Sequence, residues 1–355
     1  MTDGIPSSSK DQETRVEVRA PVRGSWPPPI PRPSGPMLGL LTVLALFVFL
    51  VYQRDQLGNF LSLYNIQVLF NSNTIPAVVA LGMLLIIVSG GIDLSVGSVV
   101  ALVTVVIIQV YRSVLFSTGS TTWASAGGVA AGIAVGGLCG LVNGLAITGL
   151  RVAPFVATLG MMSVARGLAH WLSGRTKVSL PGARPGWVDA LQRVDGGRAI
   201  FDPGVWSLAV LAVAVAVLLR FTVFGRYCYA IGSSEATARL CGVAVERTKV
   251  AIYALAGLLA GWAGVLTFAQ SSSGDPGIQV GLELDVIAAV VIGGASLSGG
   301  QGTVSGTLLG VLILAVLQNG VTFCGVPVEV KYILIGVIVV ANTALSQWQR
   351  RRGGE

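Results

Sequence analysis

The chain has 355 residues, of which 53% are hydrophobic and only 11% charged, with a mean hydropathy of +0.77. Soluble domains carry roughly 25% charged residues, so this composition excludes one and points to an all-α polytopic membrane protein. The net charge of +7 would suggest nucleic acid for a soluble protein; here it reports cytoplasmic loops biased toward Lys and Arg, with no nucleic-acid partner.

Residues 1–36 hold eight of the fifteen prolines, mixed charges and no apolar periodicity, and are expected to be a disordered cytoplasmic tail. The first apolar run, Met37–Tyr52, starts too late for an ordinary signal peptide and no small-residue cleavage site follows it, so a retained span is expected. Further runs lie at Thr74–Ser89, Ser95–Tyr111, Trp123–Ile147, Pro154–Leu172, Val205–Phe221, Val250–Ala269, Leu284–Ala295, Val304–Gly320 and Val328–Leu345. These make about ten transmembrane helices within a membrane domain of residues 37–349, the eighth being the weakest because glycines crowd its end. The strict alternation of a transmembrane barrel is missing, and the 47 glycines suit close helix packing in lipid. An even number of spans puts both termini on one side. Lys10, Arg15, Arg19, Arg23 and Arg32, with Arg350, Arg351 and Arg352 in the tail 350–355, place that side in the cytoplasm. The loop 173–204 then lies outside, although it carries Arg175, Lys177, Arg184, Arg193 and Arg198. It is rich in Gly and Pro and would suit docking of a soluble partner.

A polar stretch, Gly225–Lys249, interrupts the apolar chain and falls on the cytoplasmic side. Its centre is expected to be a short helix. Ser233 or Ser234 can cap it, Glu235 suits its N-terminus, and Gly242 can close it. Two turns of helix do not persist alone in water, so this one packs on its own protein or docks on a partner. The alternative is a solvated loop between two spans. A fainter feature is an echo: SGGIDLSVGS at 89–98 and SGGQGTVSGT at 298–307 share an opening tripeptide and a later glycine.

Asp93, in GGIDLSVGS with Ser95 two residues on, sits between two spans, where a carboxylate caps a helix or faces a polar cavity. Asp285, behind Glu283, reads as helix-start chemistry. Arg166 and His170 lie four residues apart toward the outer end of the fifth span. They either snorkel to the surface or form, with Asn143 and Thr158, the polar wall of a solute path. No P-loop, HExxH or nucleophile elbow occurs, so catalysis and self-contained ATP binding are not expected. Cys139, Cys228, Cys241 and Cys324 show neither CxxC spacing nor a histidine partner, so no metal site is expected.

Four segments, in order, resemble one family: GGIDLSVGS (90–98), APFVATLGMMSVARGLA (153–169), AIGSSEATARLCGVAV (230–245) and ELDVIAAVVIGGASLSGGQGTVSGTLLG (283–310). It is the permease subunit of bacterial ATP-binding-cassette importers of the ribose, xylose and galactose type. The resemblance runs from Asn73 to the C-terminus and leaves out the Pro-rich tail. It implies a multi-pass inner-membrane protein that forms the path for a sugar or related small polar solute. It implies a second permease copy, a separate ATPase that holds ATP and magnesium, and a periplasmic or lipid-anchored solute-binding protein. No cofactor is expected on this chain. The coupling loop, 223–249, would meet the ATPase, and the family pattern carries over to Gly232, Glu235, Ala238, Arg239, Leu240 and Gly242. Thr237-Ala238 stands where the pattern has Ala-Ala. Translocation-path candidates are Asp93, Ser95, Asn143, Thr158, Arg166 and Asp285. Selectivity would rest with the binding protein, so the sugar is not legible. The rival is an ion-coupled secondary carrier acting without an ATPase, which needs relay acids or histidines that the chain scarcely offers. A membrane-embedded enzyme would need a reactive group that is also missing.

Overall fold

The computed structural model describes residues 35–182, 184–192, 201–327, 333 and 336. The N-terminal tail before residue 35, Arg193, Arg198, the tail 350–355 and all but two residues of the tenth apolar run lie outside the described residues. The rest is helical: α1 (Gly35–Tyr52), α2 (Leu57–Phe60), α3 (Leu63–Val88), α4 (Val96–Thr118), α5 (Thr121–Gly149) and α6 (Pro154–Leu172). There follow α7 (Gly186–Gln192), α8 (Pro203–Phe221), α9 (Val223–Ser233), α10 (Glu235–Leu240), α11 (Val245–Ser271), α12 (Leu282–Ile292) and α13 (Val304–Phe323). The one sheet among the described residues pairs β1 (Val178–Ser179) antiparallel with β2 (Ser273–Gly274).

Among the described residues, seven helices are long and apolar enough to cross a membrane: α1, α3, α4, α5, α8, α11 and α13. The centre is α3, whose residues 77–88 are all buried, as expected of a segment that is apolar all round. Ser62 starts it by accepting from Asn65 N. Packed on α3 is α11, which pairs tightly with α5: Gly136 and Gly140 meet Gly257 and Gly261, and Gly144 meets Val250. A Cβ at Gly140 would overlap the Tyr253 carbonyl oxygen and lie 2.9 Å from Gly257 Cα. Lipid offers no hydrophobic drive for helix pairing, so such backbone approach and its dispersion gain hold the pair together.

Two expectations need correction. The eighth run is not a full span: α12 has 11 residues, about 16 Å, roughly half of a ~30 Å hydrocarbon core. The segment before it is non-helical and descends along α4. A Cβ at Gly274 would lie 2.9 Å from Thr104 O, whereas one at Gly97 would lie 2.5 Å from Gln279 O. The second correction concerns residues 223–233, expected to be loop. They form α9, because Thr222 accepts from Gly225 N and Gly225 packs under the last carbonyls of α8.

Candidate coupling and translocation sites

Ser234 caps α10: its hydroxyl accepts from Thr237 N at 3.3 Å and lies 2.9 Å from the Thr237 hydroxyl. The departure from Ala at 237 thus adds a second hydroxyl to the cap. At the other end Gly242 takes φ +81°, its N–H donates to Arg239 O, and Val243 N donates to Ala238 O. That is the left-handed closure that glycine makes without strain. Ala238 is buried against Ile231 and Val245, while Leu240 on the far side is 89% exposed. Thr237, Arg239, Cys241 and Gly242 are exposed with it. A set of ion pairs fixes the helix to the start of α11. Lys249 Nζ donates to Glu235 at 2.6 Å, Arg239 donates to Glu235 at 3.1 Å, and Arg239 also pairs with Glu246. The Lys249 ammonium holds the Glu235 carboxyl below the usual carboxylate range, with Arg239 adding to it. These pairs and the loop Arg151–Pro154 surround a polar cleft of 390 Å³.

Gly232 does not share that exposed face. A Cβ there would overlap the Val88 carbonyl oxygen and lie 2.5 Å from Gly300 N. Gly300 N donates to Val88 O at 2.8 Å, and a Cβ at Gly299 would lie 2.6 Å from Gly232 O. The two echoing SGG segments therefore meet each other and α9 at one point. Its chain neighbours on the α3 side lead to Asp93, and those on the other lead to α12 and α13.

Asp93 is 4% exposed. Its Oδ1 accepts from Ser95 N at 2.7 Å and Ser95 Oγ at 2.6 Å, and Asn143 Nδ2 donates to Ser95 Oγ at 3.1 Å. Thr158 Oγ1 bonds within its own turn at 3.0 Å and reaches Ile92 O at 3.4 Å. Four of the path candidates thus converge. Asp93 holds the N-cap residue of α4, Ser95, and does not itself cap that helix's free N–H groups. Tyr253, which sequence reasoning passed over, joins them: its buried hydroxyl abuts Gly91.

Arg166 and Asp285 stand apart from this cluster. Arg166 lies twelve residues into α6, about 18 Å along its axis, and donates to Pro276 O at 2.7 Å and Ile278 O at 3.0 Å. Non-helical backbone within the membrane leaves carbonyls unpaired, and Arg166 satisfies two of them. The carboxylates acting on it are Glu283 and Asp275; Asp285 is not among them. The face made by α6, 275–281 and the start of α12 is open: Val280 is 75% and Leu284 64% exposed.

A family model described as a branched-chain amino acid transport system permease component matches residues 65–342. The chain belongs to this permease family of ATP-binding-cassette importers. It is 36% identical to the ribose import permease protein RbsC of Escherichia coli (strain K12), over 84% of this chain and 90% of that protein. It is 38% identical to the L-arabinose ABC transporter permease protein AraH of Azospirillum brasilense, over 83% of each. It is 32% identical to the fructose import permease protein FrcC of Rhizobium meliloti, over 88% of this chain and 85% of that protein. No solved structure matches the chain. The permease is therefore a multi-pass membrane component of a binding-protein-dependent importer, and the ion-coupled carrier acting alone is set aside.

Proposed function

We propose that this permease carries a pentose, hexose or similar small polar solute, driven by ATP hydrolysed with magnesium on a separate ATPase that docks on α10. The observation that carries this reading is the division of α10 itself. Ala238 anchors one side to the protein, while Leu240 and the Gly242 turn present the other side to a partner. The tenth run completes ten membrane segments, both termini and α10 face the cytoplasm, and 173–204 faces outward to receive the solute-binding protein. Polar groups within a membrane face protein or water and avoid lipid. The open face bearing Arg166, Gln279 and Glu283 is accordingly covered by a second permease copy, and the solute passes between the two. Movement of α10 reaches this path through the Gly232 junction, which ties α9 to the loops that follow α3 and α12. The buried Asp93 cluster holds the start of α4 in place and does not touch solute.

The test is co-purification of the ATPase with Gly242→Asp and Arg239→Ala at two salt concentrations. Gly242→Asp places a strained side chain on the exposed turn and is expected to release the ATPase from an inserted, folded permease. Arg239→Ala is expected to give a milder, salt-sensitive loss. Normal co-purification and uptake with Gly242→Asp would remove α10 from the docking surface.

A further inference from the structure

At the end of the molecule that carries α10, helices α8, α9 and α13 leave a groove of 740 Å³. Its wall is apolar, formed by Ala212, Val213, Ala216 and Leu219 of α8 and Leu308 of α13. Its rim is basic. Arg220 lies in the last turn of α8, and the corner closed by Thr222 and Gly225 turns α9 back so that Arg226 borders the same groove. Among the described residues the ion pairs involve Arg239 and Lys249 only, and none joins a carboxylate to either rim arginine. The Arg220 guanidinium lies 5.5 Å from the exposed Phe221 ring, a cation and aromatic pair of the kind that suits a membrane interface. From Ala212 to Arg220 the wall runs about 12 Å, most of the ~15 Å depth of one leaflet's hydrocarbon.

We propose that this groove holds one anionic phospholipid of the leaflet facing α10, its phosphate between Arg220 and Arg226 and one acyl chain against the α8–α13 wall. Guanidinium forks match phosphate oxygens, and basic pockets between helices at the cytoplasmic surface select anionic headgroups. A second copy of the permease fits the groove less well. A two-fold contact through it would bring the Arg220 and Arg226 of both copies together with no acid between them.

The experiment measures lipid retention and thermal stability of the full chain in detergent, without ATPase, so its outcome is independent of the coupling scheme. The probes are phosphatidylglycerol, phosphatidylcholine with the same acyl chains, and glycerol phosphate. Phosphatidylglycerol is expected to remain as a one-to-one adduct in native mass spectrometry and to raise the melting temperature. Phosphatidylcholine and glycerol phosphate are expected to do neither. The double variant Arg220→Gln/Arg226→Gln should weaken phosphatidylglycerol binding at least about tenfold. Ala216→Phe, which fills the wall and leaves both arginines, should do the same. Equal retention of the two lipids by wild-type chain, or undiminished binding in both variants, would overturn the proposal. So would efficient cross-linking of Val213→Cys between two permease copies, since a partner would then cover the groove. If the double variant fails to fold, the wild-type lipid comparison and Ala216→Phe decide.

Discussion

Replacing Gly232 by Ala probes the junction that joins α9 to the two glycine loops. The added methyl would overlap the Val88 carbonyl oxygen, lie 2.5 Å from Gly300 N and 2.9 Å from Val88 C. These are backbone atoms, so no side chain can swing aside. Ordinary contact at about 3.4 Å or more requires the loops to part by roughly 1.5 Å, which breaks the 2.8 Å hydrogen bond from Gly300 N to Val88 O. Overpacking costs about 1–3 kcal/mol and the lost hydrogen bond about 1 kcal/mol. Alanine's better helix propensity within α9 returns about 1 kcal/mol, leaving a net loss of about 1–3 kcal/mol. The control is Gly127→Ala on α5, where the nearest atoms would lie at 3.6 and 3.7 Å and the change should be neutral or stabilising. Thermal unfolding of both variants in nanodiscs, with solute-stimulated ATPase activity of the assembled importer, reads stability and transmission together. Gly232→Ala should melt lower and should also uncouple ATP hydrolysis from uptake while the ATPase stays bound. If it is as stable and as well coupled as Gly127→Ala, the junction carries neither load.

Asp93→Asn keeps an acceptor for Ser95 and should retain near-normal stability and uptake, whereas Asp93→Ala strands the buried N–H and hydroxyl of Ser95 and should cost about 2–4 kcal/mol by thermal unfolding. An inactive but stable Asn variant would assign the charge a direct role. Glu235→Gln weakens the pair with Lys249, and because Glu235 is well solvated the expected loss is under about 1 kcal/mol at neutral pH. Since the partners lower the folded-state pKa of Glu235, that difference is fully present above the ordinary carboxylate value of 4.5 and should vanish as pH falls through the depressed one; a difference that grows in acid would reverse the assignment. Of the four cysteines, only Cys241 is exposed, so an impermeant maleimide should label the wild-type chain in inverted vesicles and not in intact cells, and Cys241→Ser should abolish the signal. Labelling from outside would invert the topology.

The membrane class and the short helix at 235–240 were legible because each has a local cause: apolar runs for one, a serine cap and a glycine closure for the other. The half-length of α12 was not. Leu284–Ala295 is as apolar as a short span, and only its 11-residue helix, with 275–281 running non-helically along α4, shows that it does not cross as one helix. Arg166 was read as snorkelling or lining a path, and its bonds to Pro276 O and Ile278 O are invisible to a one-dimensional reading. The path candidates were sought by polarity alone, which cannot separate a buried, satisfied cluster around Asp93 from an open polar face around Arg166. Gly232 illustrates the same limit. The family pattern grouped it with the residues of α10, whereas the fold turns it inward against Val88 and Gly300.

The central claim is that this permease supplies a path and a docking helix, and that another subunit supplies the energy. It is tested most directly by reconstituting the purified chain in liposomes, alone and with its ATPase and solute-binding protein, and following radiolabelled sugar with and without ATP. Uptake is expected only in the complete assembly with ATP and magnesium, and Gly242→Asp should reduce it to background. ATP hydrolysis by the isolated chain, or gradient-driven sugar uptake without the ATPase, would contradict the claim.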